Sequence, residues 1–379
     1  MTRRTHLLIG AGLGLSALVL SACAAPTEER GDGGDAGGGN GVSAAQATSA
    51  EDFGSMDDLV KAAQEEGELN VIALPPDWAN YGEIIDTFAE KYDITVNSAQ
   101  PDAASQDEIN AANQLEGTDR APDVFDLGQS VALANTDLFA PYQVETWDTI
   151  PDEFKDADGT WVNDYGGFMS IGYDSAEVPE VSTLDDLLGS EFRGKVALNG
   201  DPTQAGAAFS GVVMAAVANG GSPDDIAPGV EYFQKLSDAG NFLPVDPTPA
   251  TVQSGQTPVV IDWDYLNASL TKDVPTWKVV VPDNAAIAGY YFQAINADAP
   301  HPAAARLWQE FLYSDEGQNL WLKGGARPVR ADAMAEAGTI DQALYDALPD
   351  VAGEPVIPTN EQTEKAAAYL AENWAKVVG

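Results

Sequence analysis

The chain has 379 residues, and 18 Lys+Arg against 60 Asp+Glu give a formal net charge of -42. That length suits two domains once the ends are set aside, and the charge repels nucleic acid and anionic headgroups, so neither is expected as a partner. Cys23 is the only cysteine and His6 and His301 are the only histidines; with the first segment removed and Cys23 modified, one imidazole and no free thiol are left, which excludes disulfides, Cys–His chemistry and zinc sites built on several such ligands. A Ser–His–Asp triad would have to use His301, held in a Pro-flanked turn that is a poor seat for a general base.

Residues 1–22 read as an export signal, with Arg3 and Arg4 ahead of an apolar run, Leu7 to Leu20, that is too short to span a membrane well. The signal ends in LeuSerAlaCys, Leu20 to Cys23, which resembles the lipobox of bacterial lipoproteins. The resemblance implies cleavage before Cys23 and lipid on its thiol, anchoring the protein to the outside of the cytoplasmic membrane. ThrArgArg at Thr2 to Arg4 resembles, in part, a twin-arginine signal. Residues 23–51 are dominated by Gly, Ala, Ser and Asp and read as a flexible linker, because they lack the apolar content to offset ordering entropy. Order is expected from about Ser55.

Met56, Leu59, Val60 and Ala63 predict a helix closed by Gly67. Leu69 to Leu74 is a buried-strand run that Pro75, Pro76 and Asp77 stop, and Tyr81, Ile84, Ile85 and Phe88 form the stripe of an amphipathic helix. In open α/β sheets ligands bind outside the carboxyl ends of strands, so Asp77, Trp78 and Tyr81 are candidate contacts. Strands are expected near 94–97 and 122–127, with a helix over 107–115 and another after Gly128, Gln129 and Ser130. Residues 161–173 predict a long strand crossing between lobes. A second α/β pattern follows: strand 195–198, a loop at 199–206 with Asp201 and Gln204, helices at 207–218 and 229–239, and strands at 258–265 and 278–282. Residues 289–295, with Tyr290, Tyr291 and Gln293, predict a return strand. Helices at 303–312, through 323 and over 363–378 close the chain. The alternation predicts α/β lobes, each a mixed, mostly parallel sheet flanked by helices.

GlyGluLeuAsnValIle (67–72), AspValPheAspLeuGly (123–128), GlyGlnThrProValValIleAspTrp (255–263) and AlaArgLeuTrpGlnGluPheLeuTyrSerAspGluGlyGln (305–318) together resemble extracellular solute-binding proteins of ABC importers. The likeness is to the two-lobed type II periplasmic-binding-protein fold, nearest to its spermidine/putrescine, iron(III) and thiamine/phosphonate branches. The resemblance implies one lobe from 52–168 and 292–323 and a second from 169–291 and 324–379, joined by two crossing strands. It implies a monomeric binder rather than an enzyme, with no cofactor and no resident metal, that delivers a small-molecule solute to a membrane permease.

For the solute, Trp78-Ala-Asn-Tyr81 matches the Trp-x-x-Tyr pair of the polyamine branch, and Trp263 and Tyr291 stand where that branch carries aromatic residues. The same resemblance marks Asp201, Gln204 and Gln293, and Gln129, Ser130 and Asp264 complete the candidate site. Gln204 and Gln293 replace carboxylates of the branch. A polyamine or other small cation is therefore expected. An ammonium over an aromatic face gains on the order of 0.5–2 kcal/mol, and Asp77, Asp201, Asp262 and Asp264 are the acids left to pair with it, of which strand alternation turns only some toward the cleft. The alternatives are ferric iron through Tyr290 and Tyr291, thiamine, and a phosphonate or sugar phosphate on an amide nest at Asp201–Gly206. From another class comes an extracellular hydrolase using paired carboxylates.

Overall fold

The computed structural model describes residues 41–348, 351 and 355–378; the export segment, Cys23 and the Gly-rich run before residue 41 lie outside the described residues. Ala44–Gln46 and Ala50–Phe53 form short 3-10 turns in which Ala44, Ala50 and Phe53 are buried, as is Ala47 between them. Arg306 holds them. Its guanidinium donates to the carbonyls of Ala47 (2.7 Å), Ala45 (2.9 Å) and Pro302 (2.9 Å). The ordered body thus reaches into the span read as linker, because one buried cation satisfies backbone acceptors that local composition leaves open.

Helix α1 (Met56–Glu66) opens on Ser55, whose hydroxyl accepts the Asp58 N–H (3.2 Å), and closes on Gly67 at φ 75°, a left-handed conformation that favours glycine. Strand β1 (Glu68–Ile72) and helix α2 (Tyr81–Tyr92) follow, then β2 (Thr95–Ala99), α3 (Ser105–Leu115), β3 (Val124–Leu127), α4 (Gln129–Leu133) and β4 (Phe139–Ala140). β1 and β2 run parallel. The Asp123 N–H donates to the Asn70 carbonyl (2.9 Å) and the Asn70 N–H to the Asp123 carboxylate (2.6 Å), which sets β3 beside β1.

The chain then forms β5 (Val162–Asp174), β6 (Val196–Leu198), α5 (Gly206–Ala218), α6 (Ala227–Asp238), α7 (Pro249–Gln253), β7 (Val259–Trp263), α8 (Asp264–Ser269), β8 (Trp277–Val280) and β9 (Ala288–Asn296). The first half of β5 pairs antiparallel with β9, which also pairs with β3 and β4. Its second half pairs antiparallel with β7 and β8, and β7 carries β6 in parallel. One strand therefore belongs to both lobes, and the sheets are mixed.

Helices α9 (Pro302–Leu312) and α10 (Asp315–Lys323) bury Trp308, Phe311 and Trp321, with Trp308 edge-on to Phe88 at 5.0 Å. Strand β10 (Arg327–Pro328) returns to the first half of β5, and α11 (Ala331–Ala337) and α12 (Gln342–Tyr345) pack on α10 through Leu322, Met334 and Ile340. Residues 327–345 thus stay beside the first lobe, where the sequence reading carries everything from 324 into the second. Helices α13 (Asn360–Asn373) and α14 (Ala375–Val378) do reach the second lobe, and Trp374 packs on Phe233 at 5.4 Å.

Arg306→Met should take away the side-chain donor of the Ala45 and Ala47 carbonyls, lower stability by on the order of 2–3 kcal/mol and open residues 41–53 to limited proteolysis. A variant that melts and digests like the parent would show that the guanidinium holds nothing in place.

Candidate functional site

A cavity of about 380 Å³ lies between the lobes. The first lobe contributes Asp77 and Trp78 after β1, Pro101–Ala104 after β2, Glu108 on α3 and Asp126 on β3; the second contributes Asn199 and Gly200 after β6, Val260 and Asp262 on β7, and side chains of α7 and α8; Tyr291 of β9 completes the lining. Ala73, Ala79, Asn80 and Gln100, in the loops after β1 and β2, all adopt positive φ (57°, 44°, 72° and 43°). Non-glycine residues pay for that conformation, and such strain concentrates at ligand clamps.

Asp126 interrupts an otherwise apolar strand and is buried between two tyrosines. The hydroxyls of Tyr81 (2.7 Å) and Tyr165 (2.9 Å) both donate to its Oδ2, while Oδ1 has no hydrogen-bond partner among the described residues. Behind them, the Gln293 amide donates to the Tyr81 oxygen (2.9 Å) and the Trp78 indole N–H donates to Tyr165 (2.8 Å). The Asp126 N–H donates to Glu108 Oε2 (3.0 Å). Tyr291 stacks on Tyr165 at 5.5 Å and meets Trp78 edge-on at 5.7 Å.

Burial raises the pKa of Asp126 and of its neighbours Glu108 and Asp164, and their mutual repulsion raises the latter two further. Across the cavity, Asp262 accepts from Asn199 Nδ2 (2.9 Å) and from the Trp263 N–H (2.8 Å), yet burial pushes it up to about 7. No Lys or Arg among the described residues forms an ion pair with Glu108, Asp126 or Asp262. The lobes also touch as bare backbone. A Cβ on Gly128, at the end of β3, would lie 2.6 Å from the Gly206 Cα at the start of α5.

Residues 122–348 match the family model described as bacterial extracellular solute-binding protein. The chain belongs to the bacterial extracellular solute-binding proteins. The sequence matches no curated protein. Solved structures with the same fold include a periplasmic binding protein of A. tumefaciens R10 in complex with agropinic acid (TM-score 0.66, 15% identity, covering 82% of this chain and 98% of that one). Others are a spermidine/putrescine ABC transporter protein from Listeria monocytogenes (0.63, 14%, 82% and 99%) and a ferric binding protein from Campylobacter jejuni (0.61, 19%, 82% and 99%). The family and these neighbours are solute-binding proteins rather than enzymes.

Within this solute-binding protein the expected contacts divide into four groups. Asp77, Trp78 and Tyr291 line the cavity, and Tyr81 and Gln293 stand behind its wall, reaching it through Asp126. Trp263 lies under Tyr291, its indole N–H 3.4 Å from that hydroxyl, and with Gln129 borders a separate space of only about 20 Å³. Gln129 ties α4 to the C-terminal segment through Asn360 (2.9 Å) and Pro358. Ser130, Asp201, Gln204 and Asp264 are not among the cavity's lining residues. Asp201 is exposed and caps its own turn through Thr203, Gln204 is exposed, and Asp264 is a buried partner of Arg327 (2.8 Å). Glu108, Asp126 and Asn199 line the cavity without having been singled out. The signal for Asp126 was an acid inside a run that reads as a strand buried on both faces.

Two outcomes follow from this geometry. A carboxyl whose pKa rises on folding holds more protons folded than unfolded, so Asp262 withdraws stability from the empty protein as pH climbs from about 4 through about 7. Asp262→Asn should flatten the fall of melting temperature over that range and melt higher at pH 7.5; overlaid curves for variant and parent would refute the assignment. Gly128→Val should hold the lobes apart, lowering solute affinity with little change in secondary structure by circular dichroism, and unchanged affinity would show that the Gly128–Gly206 approach is incidental.

Proposed function

We propose that the protein captures a small organic cation, a polyamine or another amine, outside the cytoplasmic membrane and delivers it to an ABC permease. One observation carries this reading. Six carboxylates line the cavity (Asp77, Asp102, Glu108, Asp126, Asp246 and Asp262), and no Lys, Arg or His does. An anionic solute would meet repulsion from each of these groups that is ionised and no fixed positive charge, whereas an ammonium would supply the counter-charge that Asp126 and Asp262 lack. Trp78 and Tyr291 line the same space, and a cation over an aromatic face gains on the order of 0.5–2 kcal/mol. The likeness to a spermidine/putrescine transporter protein agrees with this at the level of the fold.

Capture works by closure. Acids of both lobes contact one solute, whose higher affinity for the closed form shifts the equilibrium toward it, and the closed form docks on the permease. LeuSerAlaCys supports a lipid anchor at Cys23, with the binding body acting as a monomer at the membrane surface. Ferric iron is less well supported. Tyr290 lies against Phe154 (4.6 Å) while Tyr291 faces the cavity, so the two phenols point apart.

Melting scans with putrescine, spermidine, ferric citrate, thiamine and a sugar phosphate should show stabilisation by amines, about 2.7 kcal/mol at a hundred times Kd. Trp78→Ala should weaken amine binding roughly 2- to 30-fold and Asp126→Asn by about 30-fold or more, both with intact melting transitions. Affinity should fall as pH drops below about 7, where Asp262 regains its proton. Stabilisation by the sugar phosphate or ferric citrate alone would overturn the reading.

A further inference from the structure

The acids and rings leave the rest of the cavity wall without a task. Val260 stands two residues before Asp262 on β7, on the same face of the strand and roughly 6–7 Å along it. It packs with Val252 of α7 and Leu270, just past the end of α8, in a hydrophobic cluster backed by Trp277 and separate from the main core. Val252, Val260 and Leu270 all line the cavity, and half-buried Leu266 adds to the same wall. Pro101 brings apolar surface from the first lobe. A bare ammonium has nothing to set against this wall, and a charge laid on it would lose its hydration without gaining a partner.

We propose, on the basis of the cation reading above, that the solute is a monoamine carrying an apolar arm, either alkyl or arylalkyl. Its ammonium sits at Asp126 and Asp262 and its arm lies across Val260, Leu266 and Leu270. The competing arrangement is a diamine whose second ammonium turns to Asp102 or Asp246, cavity carboxylates that are exposed. Magnitudes favour the arm. An exposed ion pair contributes at most about fivefold in affinity, while each methylene buried contributes about fourfold, so three buried carbons already outweigh the second charge.

Calorimetry on the full-length protein with methylammonium, n-hexylammonium, phenethylammonium and putrescine tests this. Hexyl- and phenethylammonium should bind about 30-fold or more tighter than methylammonium and tighter than putrescine. Leu266→Asp, a change at a half-buried position, should reverse the order in favour of putrescine. Putrescine bound by the parent as tightly as the monoamines would overturn the arm and leave the cation reading standing. Failure of every amine to bind would overturn the cation reading, and the arm with it.

Discussion

A carboxyl group withdrawn from water with no cation beside it gives up its proton reluctantly, and Glu108, Asp126 and Asp262 are all placed in that position around one cavity. Much of the surrounding architecture makes the placement tolerable. Tyr81 and Tyr165 donate to the same oxygen of Asp126, Gln293 and Trp78 orient those phenols, and Trp321 stacks on Tyr165 at 4.2 Å. Each ring is fixed by its neighbour, so the first-lobe wall is stiff before any solute arrives. Stiffness of this kind lowers the ordering cost of binding.

The second requirement is that two walls meet without losing that order. β5 meets it by running through both sheets, pairing with β9 up to and including Phe168 and with β7 from Met169 on. Rotation of the lobes can then be absorbed in a few residues of continuous strand while the ladders on either side persist. Where the lobes touch, Gly128 and Gly206 present backbone to backbone, an approach that any side chain would prevent. The C-terminal segment adds a third crossing, with Val356 bonded to the backbone of Ala286 and Ala288 beside β9 and Asn360 accepting from Gln129 on α4.

Hydrophobic period and turn chemistry made most of this fold legible. Leu69–Leu74, Trp161–Tyr173 and Gly289–Ile295 became strands close to their expected limits, and Ala303–Leu312 a buried helix, because apolar spacing reports local geometry directly. Trp78 was legible as a cavity residue because strand ends and loops in α/β folds point at ligands, and Tyr291 through the resemblance to the polyamine branch. The acids were not. Asp123, Asp126, Asp262 and Asp264 occupy similar apolar contexts, yet one holds His301, one faces two tyrosines, one meets Asn199 and one meets Arg327. Their roles depend on partners 39 to 178 residues away in sequence, and no local pattern encodes such pairings. The packing of 41–53 on Arg306 escaped for the same reason.

Charge and closure are bound to each other by this arrangement. Bringing the lobes together over an empty cavity would remove water from the carboxyls of both walls at once, so each closure without solute must be accompanied by proton uptake or oppose burial of bare charge. A cation cancels that penalty and adds attraction across the gap, which makes its differential affinity for the closed form large by construction. Moving a two-state equilibrium from 1:99 to 99:1 takes about 5.5 kcal/mol of such difference. The removal of two desolvated carboxyl penalties supplies energy of that order, whereas rings alone, at about 0.5–2 kcal/mol, do not. If the solute is the cation proposed above, the acids provide the switching energy, and the aromatic and apolar surfaces would select which cation uses it.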